Sequence, residues 1–179
     1  MLTKEELDTY KPWLISVALT GSSTLPWITN PHDTDYVCFV TDNHLSGWCY
    51  EFLKNKPKEE CWFIKELNQP PMLLYAYEYH FLKPVYGEEF LTCDVLEDIP
   101  KYKDVLIKCG SCDFDPRSKQ WYHILTGIYL IQNGKYELTE EQAQAVQACH
   151  DKQMTIEIYN YIQEQLSKYR KELEGTSNL

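Results

Sequence analysis

Three segments of the chain pair an apolar run with turn residues at its ends. They are "WLISVALTG" (residues 13–21), "TDYVCFVTD" (34–42) and "CWFIKEL" (61–67). Runs of this length, rich in Val, Ile, Phe and Trp and closed by Gly, Asp or Asn, predict buried strands. A fourth, "FLKPVYGEEF" (81–90), contains Pro84, which cannot donate to a ladder. It is expected at a sheet edge or as a hairpin arm.

Elsewhere the apolar spacing is helical. "TKEELDTYKP" (3–12) opens with Thr3 and has Glu6 three residues on, a capping box. "HLSGWCYEFLKNK" (44–56) places apolar residues at helical spacing and is closed by "NKPKEE". The prolines at 70 and 71 can open a helix over "PMLLYAYEY" (71–79). From Asp115 onward the period is helical throughout. Trp121, Leu125, Ile128 and Tyr129 share one stripe, and Gly134 stops it. "LTEEQAQAVQACHDKQ" (138–153) repeats the capping box at Thr139 and Gln142, and "TIEIYNYIQEQLSKYRKELEG" (155–175) follows. The expected organisation is α+β: a small mixed sheet with flanking helices over 1–112, a helical region over 113–175, and a disordered tail over 176–179.

Composition narrows the function classes. The chain has 179 residues, 44% hydrophobic and 25% charged, an ordinary globular balance. Fourteen tyrosines and five tryptophans suit clefts and half-buried positions. The formal net charge of −10 leaves few cations to neutralise long duplex DNA. No stretch is apolar enough for a membrane helix, and the acidic start "MLTKEELDTYKP" does not read as a signal peptide. A cytoplasmic protein is expected, in which most of the seven cysteines are buried free thiols. Cys109 and Cys112 form one CxxC; without a second pair or close histidines the reading is a plain turn, with structural zinc the minor alternative.

The chemistry lies between the first two strands, in "VALTGSSTLPWITNPHDTDYVCFV". Asp33 and Asp35, two positions apart as a strand begins, point to one face. Side by side in an apolar setting they repel unless something compensates, and a divalent cation such as Mg2+ does so with hard oxygen ligands. The Gly21-Ser22 turn ends the neighbouring strand. Glycine lets backbone approach a phosphate, and Ser22 can donate to its oxygens. Taken singly, "NPHDTD" is an ordinary turn and Gly-Ser an ordinary strand end; their combination between two strands is what points to a site.

That stretch resembles the signature of the DNA polymerase β superfamily of nucleotidyltransferases: an apolar strand, Gly-Ser, a gap of about ten residues, then Asp-x-Asp entering a second strand. Within it, the chain is similar to a family of predicted bacterial and phage nucleotidyltransferases, some associated with RNA ligases. That family shares the gap and a later helix opening with Lys, Tyr and His, here "KQWYHILTGIYLIQNGKYEL". The resemblance implies that Asp33 and Asp35 hold Mg2+ or Mn2+. Gly21 and Ser22 would meet the triphosphate of a nucleoside triphosphate such as ATP. Lys119 and His123, one helical turn apart, would be auxiliary phosphate contacts. Two-metal transfer wants a third carboxylate from the adjacent strand. Glu60 and Glu66 share a face there, and Glu60 is preferred because the third acid lies early on that strand in the superfamily. The chain departs from the family at Thr126, where an arginine is usual, and at Ser23, Thr24, Leu25 and Pro26, where glycine and basic residues often follow Gly-Ser.

The function implied is transfer of a nucleoside monophosphate from a nucleoside triphosphate to a hydroxyl of an acceptor, whether RNA, protein or a small molecule. The alternative is an inactive nucleotide- or protein-binding module on the same fold, phage- or defence-associated, in keeping with the missing basic residues.

Overall fold

A computed structural model describes residues 3–10, 12–41, 53–54 and 56–177. The chain forms an α+β structure that divides into two compact units. The first comprises residues 1–26, 30–71 and 78–93, and the second 27–29, 72–77 and 94–179.

The first unit is built on a four-stranded mixed sheet: β1 (Leu14–Thr20), β2 (Thr34–Val40), β3 (Glu60–Glu66) and β4 (Lys83–Tyr86), in the order β3-β2-β1-β4. β1 runs antiparallel to β2 and β4, whereas β2 and β3 are parallel. A parallel pair needs a crossover, and the helix expected over 44–56 lies mostly outside the described residues. Pro84 sits in the short edge strand β4, where its missing N–H costs no ladder bond.

Period two, interrupted by an irregularity in β1 between Leu14 and Ser16, sorts the sheet into two faces. One buries Leu14, Val17, Tyr36, Cys38, Val40 and Tyr86 with Leu7 of helix α1 (Lys4–Asp8). That helix starts at the expected capping box of Thr3 and Glu6, and Tyr86 Oη donates to Asp8 at 2.6 Å. The other face buries Ala18, Val37 and Phe39 against Tyr79, Leu82 and Phe90.

The helix expected over 71–79 does not form. The chain instead makes tight three-residue turns that end in a 3₁₀ helix, Ala76–His80. Tyr75 N–H bonds to Met72 O and Ala76 N–H to Leu73 O, a three-residue spacing that an α-helix lacks. Apolar side chains recur here at Leu74, Ala76 and Tyr77, all buried, and so do not keep to one α-helical stripe.

The second unit holds four helices: α2 (Ile99–Gly110), α3 (Gln120–Asn133), α4 (Glu140–His150) and α5 (Ile156–Ser177). α3 is central and buried on nearly every side, with Trp121, Ile124, Leu125, Ile128 and Leu130 at 2% exposure or less. Gly127 lets α2 cross it closely. A Cβ there would stand 2.6 Å from Tyr102 Oη and 2.8 Å from Leu106. α4 starts at the expected Thr139–Gln142 capping box. α2 answers to no element of the sequence reading, although Asp98 caps it and Pro100 lies in its first turn. It packs on α3 and α5. It belongs, with the rest of the chain from Asp94 onward, to the second compact unit, which also takes in residues 27–29 and 72–77. The last helix runs to Ser177, so the expected tail begins no earlier than residue 178, outside the described residues.

The CxxC segment ends α2 as a turn docked on α5. Gln163 Nε2 donates to Gly110 O at 2.9 Å, Arg170 to Ser111 Oγ at 3.0 Å, and Tyr159 Oη to Cys112 O at 2.8 Å. Cys38, Cys61, Cys93, Cys109, Cys112 and Cys149 are all free thiols. No described helix is long and apolar enough to cross a membrane.

Candidate functional site

β1 ends at Thr20, which pairs with Asp35 across the antiparallel ladder. Gly21 follows with φ +71°, a left-handed conformation that side chains other than glycine's resist. It opens the 3₁₀ turn Gly21–Thr24, fixed by Thr24 Oγ1 donating to Gly21 O at 2.9 Å and Ser23 Oγ donating to Thr20 O at 3.2 Å. The Asp35 carboxylate lies directly against Gly21. A Cβ at that position would stand 2.1 Å from Asp35 Oδ2. The glycine is thus required twice, by the turn and by the carboxylate seated on it. Ser22, next in the turn, is buried at 3% exposure.

Asp33 and Asp35 are half-buried and share the sheet face that the strand period assigns them. Across the parallel ladder Asp35 stands opposite Cys61. Ligand atoms of Asp33, Asp35 and Cys61 all lie within 4.8 Å of one another, and Cys61 Sγ approaches Asp33 Oδ2 at 3.6 Å. Loss of water, and then the charges of Asp33 and Asp35, push the Cys61 thiol above its ordinary range, so it donates to carboxylate as a neutral S–H.

Glu60 does not join this group. It pairs with Thr34, one residue out of phase with Cys61, and so faces the opposite side of the sheet. There Trp62 Nε1 donates to Glu60 Oε2 at 3.1 Å, and the Trp62 ring stacks on Tyr36 at 4.2 Å. Glu66 shares the parity of Glu60 and pairs with Val40 at the far end of the strand. Neither supplies a third carboxylate to Asp33 and Asp35.

A different acid feels the charge of Asp35. Glu78, in the 3₁₀ helix Ala76–His80, is half-buried. Burial, and then the charge of Asp35, push it up to about 8. A carboxyl whose ionisation is opposed by the very aspartate expected to hold a cation is a candidate for the missing third acid. The sequence signal was faint: one acidic residue inside the aromatic run "YAYEYHF".

Lys119 and His123 belong to the second unit. Lys119 is exposed and precedes the first turn of α3. His123 is a core residue at 6% exposure. Its Nδ1 is 2.8 Å from Tyr77 Oη, and the rings of Tyr75 and Tyr122 pack on it. Burial, with smaller effects from His150 and Lys119, pushes it down to about 3. Burial thus keeps the ring neutral at physiological pH, so any contact it makes with a phosphate would be a neutral N–H donation.

That depression has a measurable consequence. A histidine kept neutral in the fold stabilises it fully above the unfolded pKa of about 6.5. The stability is lost as pH falls toward 3, by at most about 1.4 kcal/mol per pH unit. His123→Gln is expected to flatten this acid limb in denaturant unfolding between pH 7 and pH 4. An unchanged slope would show that the titrating group lies elsewhere.

No protein-family model matches the chain, and no curated protein matches its sequence. Among solved structures, the spectinomycin adenyltransferase AAD(9) from Enterococcus faecialis, determined with ATP and spectinomycin, superposes with a TM-score of 0.52. The chain has a nucleotidyltransferase-like fold. The match spans 90% of this chain and 84% of that one, at 14% identity. At that identity the likeness speaks for the fold, and the chemistry has to be argued from the residues.

Proposed function

We propose that the protein is a metal-dependent nucleotidyltransferase that moves a nucleoside monophosphate from a nucleoside triphosphate, ATP in the first instance, to a hydroxyl of a small-molecule acceptor. The observation that carries this reading is the seating of the Asp35 carboxylate on Gly21, which brings the Asp-x-Asp pair beside the Gly-Ser turn. The donor set fits a divalent cation. Two carboxylates converge to within ligating distance of one another, and hard oxygens suit Mg2+ or Mn2+. Asp33 and Asp35 would hold it, and when bound it would polarise the phosphate under attack and offset charge on the leaving pyrophosphate.

The chain's own groups supply the rest. Gly21 and Ser22 position the triphosphate through backbone N–H groups and the Ser22 hydroxyl. Glu78 takes the acceptor's proton in its ionised form, which a cation offsetting the charge of Asp35 would favour. A small-molecule acceptor is favoured by the fold-mate, which was determined with one, and the net charge of −10 favours an acceptor that carries positive charge.

The deciding experiment incubates the protein with each labelled nucleoside triphosphate, Mg2+ or Mn2+, and a panel of cationic polyhydroxylated small molecules, alongside RNA and protein acceptors. A labelled adduct with release of pyrophosphate is expected. Nucleotide binding without transfer to any acceptor would favour the inactive module, the reading that the uncharged Ser23–Pro26 stretch supports.

Glu78 has its own signature in the metal-free protein. A carboxyl raised above its ordinary 4.5 makes the fold lose stability as pH rises toward 8, because ionisation is opposed in the folded state only. Glu78→Gln should remove that loss. In denaturant unfolding with chelator, the variant is expected to gain on the wild type between pH 5 and pH 8, by a few kcal/mol at most. A constant difference across that range would refute the raised carboxyl.

A further inference from the structure

The β3 position opposite Asp35 carries sulfur where an oxygen ligand is expected. Cys61 Sγ is 3.6 Å from Asp33 Oδ2, and all three donor groups fall within 4.8 Å of one another. A cation bonded to sulfur at about 2.3 Å and to oxygen at about 2.1 Å, with a near-tetrahedral angle between them, holds those donors about 3.6 Å apart. The thiol and the carboxylate thus already stand at ligating separation. Magnesium takes oxygen and leaves sulfur alone, whereas zinc and cadmium bind both. Asp35 is seated on Gly21 and Cys61 is locked in the ladder, so the donors converge without rearrangement of the backbone.

We propose that Cys61 is a metal ligand, and that it turns the Asp33–Asp35 centre into a site for thiophilic divalent cations, zinc and cadmium, which bind there in preference to magnesium. The proposal rests on the reading of the aspartate pair as a cation site. On binding, the Cys61 S–H bond breaks, its proton passes to solvent, and the sulfur electron pair bonds to the metal. No oxidant or reductant takes part. Zinc held this way competes with the magnesium that transfer requires, so the centre is inhibited by trace thiophilic metal.

The test uses cadmium and reads the ultraviolet sulfur-to-cadmium charge-transfer band of the full chain. Cys109 and Cys112 form a thiol pair that could bind cadmium on its own, so the background is Cys109→Ser/Cys112→Ser. One equivalent of cadmium is expected to raise the band there. Cys61→Ser should abolish it and weaken cadmium binding by at least about tenfold, the lower end of what losing even an outer partner of a metal ligand costs. Asp33→Asn should weaken it too. Manganese binding, read by electron paramagnetic resonance, should survive Cys61→Ser. Cys61→Ala serves as a second variant, and thermal melts confirm that both fold. A band that persists in Cys61→Ser, or no band in a protein that still binds manganese through the aspartates, overturns the proposal and leaves the cation reading standing. Failure to bind either metal overturns both.

Discussion

Asp35→Asn is expected to lower nucleotidyl transfer by roughly a thousandfold or more, while the metal-free protein melts no lower than the wild type. The kinetic half follows from position. Asp35 lies between Gly21 and Cys61, within reach of Asp33 and felt by Glu78. Removing its charge therefore weakens cation binding and the electrostatic stabilisation that transfer depends on. The stability half follows from repulsion. Without a cation, Asp33 and Asp35 oppose one another, and Asp35 also opposes ionisation of Glu78. An amide of the same shape keeps the packing against Gly21 and relieves both. The two measurements are labelled-nucleotide transfer and thermal unfolding in chelator. A large fall in melting temperature would make Asp35 a structural residue and undo the catalytic reading.

Gly21→Ala should damage both properties together. A left-handed backbone costs a residue with a Cβ about 1–2 kcal/mol. The new methyl would also stand 2.1 Å from Asp35 Oδ2, and overpacking of that kind costs typically about 1–3 kcal/mol more. Relief requires the carboxylate to move off the turn, so transfer should fall with stability. Ser23→Ala is the control. It loses only the bond to Thr20 O and is expected to cost about 1 kcal/mol, with transfer preserved. Full activity in Gly21→Ala, measured beside its unfolding curve, would show that Asp35 need not sit where the structure holds it.

The contrast between what could and could not be read from the chain follows the range of the forces involved. The capping boxes at Thr3 and Thr139, the glycine stop at Gly134 and the strand containing Asp33 and Asp35's neighbours are set by contacts a few residues apart, so local pattern suffices. The face of Glu60 is not local. It depends on the register of a parallel pair joined through a long crossover, where a slip of one residue exchanges every side chain between faces; Cys61 therefore stands where an acid was expected. Glu78 is harder still, because its significance comes from burial and from Asp35, forty-three positions away in the chain. His123 kept the helical spacing expected of it, yet spacing along a helix says nothing about exposure when the helix is buried on nearly all sides.

The turn that closes α2 carries a last consequence. In many small folds a bound ion pins a CxxC segment. Here the pinning is done by Tyr159, Gln163 and Arg170, three side chains of the final helix. Cys112 is exposed and Cys109 half-buried at that junction, so the two thiols form a built-in reporter. A reagent that alkylates Cys112 at once and Cys109 slowly finds the last helix docked; one that takes both at the same rate finds it detached. The chain thus carries its own gauge of helical integrity, readable by mass spectrometry without any label being introduced.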